Sequence, residues 1–219
     1  MKFTVIFMTL LLASIAAADW SENFDSYANG SGIIGQGGWE GWDGNPAWEA
    51  YVTDAQSLSA PHSIDIEPTS DVVQEFNITS GEWTITAWNY IPTGSTGNQF
   101  FILLTLYMGG DSDWALQLVF NSDTDQVVVT EGTGTAAIIY DTWVEVKVEI
   151  DLTANMQNIY YNGVLLDTIQ WGTGGFIELD ALDLFSNGGS SIYWDNIELI
   201  ETSGALTPST WAAIKTSLK

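Results

Sequence analysis

The chain has 219 residues, with 28 acidic side chains against four basic ones, and no cysteine. Its formal net charge of −24 excludes nucleic acid as a partner, because phosphate binding needs clustered cations that release counterions, and the same charge disfavours anionic polysaccharides. Without cysteine there are no disulfides, thiolate metal sites or thiol nucleophiles, so stability must come from burial, and 11 tryptophans, 9 phenylalanines and 8 tyrosines provide large apolar surfaces for it.

Residues 1–18 open with Lys2, continue through an apolar run from Phe3 to Ile15 and close on Ala16-Ala17-Ala18. This is the pattern of a secretory signal peptide, too short to span a bilayer and ending in the small residues a peptidase accepts. Export to the outside is expected, and no later stretch reaches the length of a membrane span. The remaining roughly 200 residues suit a single β-domain over 19–201.

From Trp20 onward, short runs of alternating apolar and polar residues are separated by turns rich in Gly, Asn, Asp and Ser, which is the signature of strands. The pattern predicts strands at 20–24, 47–52, 63–67, 71–76, 82–91, 100–108, 114–120, 126–130, 143–152, 157–161, 165–170, 177–185 and 192–200. So many strands exceed what one open twisted sheet holds and imply an all-β, two-sheet antiparallel sandwich. Alternation is sharpest at 143–152, where Val144, Val146, Val148 and Ile150 share the face expected to be core. Asn162-Gly163 predicts a tight hairpin turn. Between Phe24 and Trp48 lies a loop with seven glycines and Trp39, Trp42 and Trp48 near its end; loops of that length are usually functional. Residues 202–208 read as a linker, and Trp211, Ile214 and Leu218 fall on one side of a short C-terminal helix capped by Ser209 or Thr210.

Three segments carry a family resemblance: Glu22-Asn23-Phe24-Asp25-Ser26-Tyr27, the run Trp143 to Asp151 leading to Tyr160-Tyr161-Asn162-Gly163, and Tyr193-Trp194-Asp195-Asn196-Ile197-Glu198-Leu199. Together they resemble concanavalin A-like lectin/glucanase jelly rolls of the laminin-G-like kind over Trp20 to Ile200. The resemblance implies a jelly-roll sandwich, a scaffold shared by lectins, carbohydrate-binding modules, glycosidases, lyases and adhesion domains. The tail, with Ser209-Thr210-Trp211 followed by Ile214-Lys215, resembles a short C-terminal motif of secreted bacterial proteins, which implies cell-surface attachment; Ala212 stands where that motif usually has glycine.

Ser63-Ile64-Asp65-Ile66-Glu67 is similar to the Glu-x-Asp-x-x-Glu strand of laminarinase-type glycosidases on this fold, but Ser63 occupies the nucleophile position, and retaining hydrolysis needs two carboxyls about 5 to 5.5 Å apart. Glu145 and Glu149 share a strand face at about 13 Å, too far for either glycosidase geometry. With no arginine and the single histidine His62, the lyase chemistry of this fold lacks its residues. Asp25 and Asp195, near the first and last strands, are candidates for a structural calcium site; Asp43-Gly44-Asn45 and Asn121 to Asp125 carry suitable oxygens but also read as ordinary turns. No other cofactor is expected.

Sugar rings pack their C–H faces on aromatic side chains while nearby polar groups bond the hydroxyls. The candidate platform is Trp39, Trp42 and Trp48 in the glycine-rich loop, with Trp88 and Tyr90 on one strand face. The sequence therefore favours a secreted, non-catalytic, lectin-like domain for a neutral polysaccharide or other neutral glycan. A glycoside hydrolase of the same fold and a structural or adhesive surface protein are the alternatives.

Overall fold

The computed structural model describes residues 20–202; the leader and the expected C-terminal helix lie outside the described residues. Fifteen strands are present among them: β1 (Trp20–Glu22), β2 (Trp39–Gly41), β3 (Tyr51–Thr53), β4 (Ser63–Ile66), β5 (Asp71–Ile78), β6 (Glu82–Tyr90), β7 (Asn98–Leu106), β8 (Asp113–Asn121), β9 (Gln126–Val129), β10 (Thr135–Ala137), β11 (Trp143–Asp151), β12 (Met156–Tyr161), β13 (Val164–Gln170), β14 (Leu179–Asn187) and β15 (Ile192–Glu201). Two single 3₁₀ turns, Trp42–Gly44 and Gly109–Asp111, complete the regular structure.

The strands form two stacked antiparallel sheets. One has the order β13-β12-β11-β6-β15-β4-β3, the other β10-β9-β8-β7-β14-β5-β2. The long β15 closes the chain on itself: one edge pairs with β6, while the other pairs first with β4 through Ile192–Trp194 and then with β1 through Ile197–Leu199. A bulge between Asp195 and Glu198, with Asn196 at φ 45°, separates the two halves.

The pleat assigns side chains to faces. On β11, Val144, Val146, Val148 and Ile150 are buried, and Glu145, Lys147 and Glu149 face outward as their alternation predicts. From the other sheet Phe101, Leu103, Leu116, Leu118, Leu182 and Leu184 enter the same core. Trp194 anchors it, tilted against Phe101 at 5.4 Å and edge-on to Phe120 at 5.6 Å between ring centroids. Burying each such side chain contributes about 1.5–3 kcal/mol. The hairpin turn at Asn162 and Gly163 has φ 51° and 72°, the doubly positive geometry that Asn-Gly favours.

One feature departs from a simple sandwich. The outer face of the second sheet is not a polar, solvated surface: Val73, Ile102, Leu104 and Ala181 form a second buried cluster there, covered by Trp42, Phe100, Tyr107 and Phe185. The two 3₁₀ turns fold over this face and touch each other. Asp43 N–H donates to the Tyr107 hydroxyl at 3.0 Å, and a Cβ at Gly109 would collide with the Asp43 carboxyl, so only glycine permits that approach.

Candidate functional site

The outer cluster is the floor of a cavity of about 330 Å³. Its construction follows from register. Val73, Asp183, Ile102 and Gln117 stand opposite one another across β5, β14, β7 and β8, and Asp71, Phe185, Phe100 and Val119 form the next row. A bulge in β7–β8 pairing puts Trp114 opposite Leu104 on the same face. Trp42, delivered by the first 3₁₀ turn, lies nearly parallel to Trp114, with centroids 6.5 Å apart and planes 8° from parallel, and edge-on to Tyr107 at 5.1 Å. Trp114 is 40% exposed, so the indole pair meets solvent at the cavity wall.

Asp71 and Asp183 are diagonal neighbours on adjacent strands and their carboxyls touch. The contact is a hydrogen bond only while one of them holds a proton, because two carboxylates offer acceptors alone. No N–H or O–H of the protein donates to Oδ1 of either residue. Asp183 is 3% exposed; burial first, then the Asp71 charge, pushes its carboxyl well above the ordinary range. Asp71 is pushed up to about 6, chiefly by burial, with the Asp43 carboxylate adding to the rise. Glu40 lies on the outer face of β2, and burial, followed by the neighbouring Glu40 and Asp43 carboxylates, raises the Tyr107 phenol. The cavity thus combines an apolar, aromatic wall with a largely buried acidic floor, and Gln117 beside it is oriented by Glu131 at 3.0 Å.

The candidate platform residues divide among three places. Trp42 lines the cavity. Trp39, three residues earlier, is a core side chain at 2% exposure, packed on Trp20 and Phe24: β2 pairs with β5 so that Trp39 stands opposite Gln74 and points between the sheets. Its expected place on a sugar platform is therefore corrected. Trp48 is 36% exposed, and its carbonyl accepts the Asp71 N–H at 3.0 Å, at the end of β5. Trp88 and Tyr90 lie on the outer face of the other sheet, opposite Glu145 and Trp143, with Tyr90 packed on Trp143 and Tyr193. They are on the far side of the sandwich and do not share a site with Trp42.

Asp25 and Asp195 both reach the 54–62 loop, but as hydrogen-bond acceptors. Asp195, 0% exposed, takes the N–H groups of Leu58 at 2.7 Å, Ser59 at 2.9 Å and Asn196 at 2.7 Å, and the Ser59 hydroxyl at 3.3 Å. Asp25 takes His62 N–H at 3.0 Å and the Asn23 amide at 2.9 Å. These oxygens already pin the loop, and among the described residues no three His, Cys, Asp or Glu side chains are grouped to hold a metal. Asn121 to Asp125 is a hairpin turn whose Asp123 accepts Gly97 N–H. Asp65, pushed up to about 6 chiefly by burial, sits opposite Tyr51 and Tyr193 on the first sheet, away from the cavity. A larger hollow of about 420 Å³ at the end of the first sheet has Glu149 and Asn158 on its wall, but Glu149 already accepts from Lys147, Tyr160 and Asn158.

Trp114, Tyr107, Asp71 and Asp183 escaped sequence reasoning. The legible signal was Asp183 itself, an acid inside the otherwise apolar run Ala181-Leu182-Asp183-Leu184-Phe185.

No family model matches the chain, and no curated protein matches it. Solved structures do match in fold. The carbohydrate recognition domain of Emp46p aligns with a TM-score of 0.52 at 10% identity, over 84% of this chain and 97% of that one. A sialidase aligns with a TM-score of 0.55 at 13% identity over 87% of this chain, and the Trypanosoma rangeli sialidase with 0.51 at 13% over 74%. The chain spans 19% and 30% of those two sialidase chains. These likenesses show a shared fold, an antiparallel two-sheet jelly-roll sandwich.

Proposed function

We propose that this is a secreted, non-catalytic glycan-binding domain whose site is the cavity on the outer face of the second sheet. The observation that carries the reading is the near-parallel Trp42 and Trp114 pair standing over a floor that mixes apolar side chains with polar groups pointing into the cavity. An apolar wall with a few convergent polar groups is the arrangement that binds a sugar. The similarity to the carbohydrate recognition domain of Emp46p over nearly its whole length supports the same reading.

Binding is favoured over hydrolysis by the carboxyl geometry. Retaining glycosidases hold their two acids about 5–5.5 Å apart and inverting ones about 6.5–9.5 Å apart to admit the reacting centre, whereas Asp71 and Asp183 are in direct contact. The leader at 1–18 supports export, and the tail after Thr202 supports attachment at a cell surface.

The test is calorimetric titration of the secreted protein against a panel of soluble oligosaccharides. Trp114→Ala, at a partly exposed position, is expected to keep the fold and weaken any binding by at least about tenfold, as loss of an aromatic anchor does. Silence across the panel, or full binding by Trp114→Ala, overturns the assignment of the site.

A further inference from the structure

Beneath the indoles lies a floor that is wrong for a neutral sugar alone. Asp183 is almost wholly buried, its Oδ1 has no donor in the protein, and it lines the cavity. Asp71 Oδ1 beside it is equally without a donor. Glu40 and Asp43 surround the pair with further negative charge. Nothing positive answers them: among the described residues the basic side chain is Lys147, on the outer face of the other sheet, held by Glu149 at 2.6 Å and lying over the Tyr160 ring at 4.0 Å.

A ligand entering the cavity can supply the missing donors. A sugar hydroxyl brings one proton and no charge. A protonated amine brings three donors and a unit positive charge on one atom, matching two adjacent carboxyls in a low-dielectric floor, where charge-assisted hydrogen bonds are about twice as strong as neutral ones. The indoles above suit the same ligand, since tryptophan faces attract ammonium groups as well as sugar C–H bonds.

We propose that the cavity selects glycans carrying free amines, seating the ammonium on Asp71 and Asp183 while the sugar ring packs on Trp42 and Trp114; this rests on the glycan-binding reading above.

Three oligomers of equal length separate the two claims: β-linked glucosamine, its fully N-acetylated counterpart and a neutral glucose oligomer, titrated at neutral pH into the wild-type protein, Asp183→Asn and Asp71→Asn. The free-amine oligomer is expected to bind about tenfold or more tightly than the other two, with that preference lost in both variants and reduced by salt. Equal affinity for all three would leave the glycan site standing and sink the amine preference. A preference that survives in both asparagine variants would assign it to the general negative charge of the chain and also sink it. Neutral binding that appears only with added calcium and vanishes in Asp183→Asn would replace the amine with a bridging metal ion. No binding by any oligomer would remove both readings together.

Discussion

Replacing Asp183 by asparagine is expected to stabilise the protein, and to do so only at neutral and alkaline pH. The carboxyl pair holds protons more tightly in the folded chain than in the unfolded one. Below about pH 4 both states are protonated and the pair costs nothing. As pH rises from about 4 to 6 the unfolded chain releases its protons while the folded chain retains them, so stability falls, and above the folded values the whole penalty is present. A carboxyl raised from 3.8 to about 6, as Asp71 is, carries a penalty of about 3 kcal/mol when dry; Asp183 is raised by the same cause, burial, and about 2 kcal/mol is taken as the scale of what its removal relieves. The substituted side chain keeps the shape of the aspartate, removes the titrating group at 183 and, through its amide N–H, can replace the hydrogen bond that already lowers Asp71. At 2–4 °C per kcal/mol for a domain of this size, the variant should melt roughly 4–8 °C above the wild type at about pH 8 and with it at about pH 3.5. Asp65 and Asp195, also raised by burial, are common to both proteins and drop out of the difference. Thermal melts followed by near-ultraviolet circular dichroism across that range decide the matter. A gap that is the same at both ends, or a variant less stable at pH 8, refutes the shared-proton account.

Trp88→Ala alters the far face of the sandwich and should leave glycan affinity within about twofold of wild type in the titration that reports Trp114→Ala. Asp195→Ala strands the N–H groups of Leu58 and Ser59 and should cost about 2–4 kcal/mol; limited proteolysis within 54–62, unchanged by chelators, distinguishes this hydrogen-bonded clamp from a metal site. Trp194→Ala empties the middle of the core between Phe101 and Phe120 and should cost about 3–5 kcal/mol by denaturant titration.

The core was legible wherever period-two alternation ran long enough, as at β11, and wherever a turn had a fixed chemistry, as at Asn162-Gly163. Two strands were not: β2 and β10 are three residues each and stand beside Gly37-Gly38 and Gly132-Thr133-Gly134, so they read as loop. That omission also misplaced Trp39: read as part of a glycine-rich loop it looked available to a ligand, whereas pairing of β2 with β5 turns it inward. Trp42 was placed among the ligand candidates for the same reason and does line the cavity, because Asp43 at φ 58° and Gly44 at φ 66° swing the chain back over the outer face immediately after β2. Trp88 and Tyr90 were read as sharing a face and do share one. Which sheet that face belonged to depended on pairing across the whole chain. The cavity itself draws on β5, β7, β8 and β14, brought together by long-range register that no local window contains.

Two buried aspartates on this fold have opposite accounts, and the contrast is what gives the floor of the cavity its meaning. Asp195 is fully buried and offsets its desolvation with four hydrogen bonds that fix a loop, so an acid there is explained by structure. Asp183 is nearly as buried, yet stands between Val73 and Ile102, lies beside another acid and accepts nothing through Oδ1. A leucine or valine would complete the row and remove a charge whose burial is strongly unfavourable unless it is paired. Among the described residues no donor meets Asp183 Oδ1, whereas a cationic ligand entering beside the indoles would supply both the donors and the countercharge. The stability that Asp183→Asn gains at neutral pH measures the burial of the acid, and the amine preference that it loses measures what a cationic ligand supplies to it.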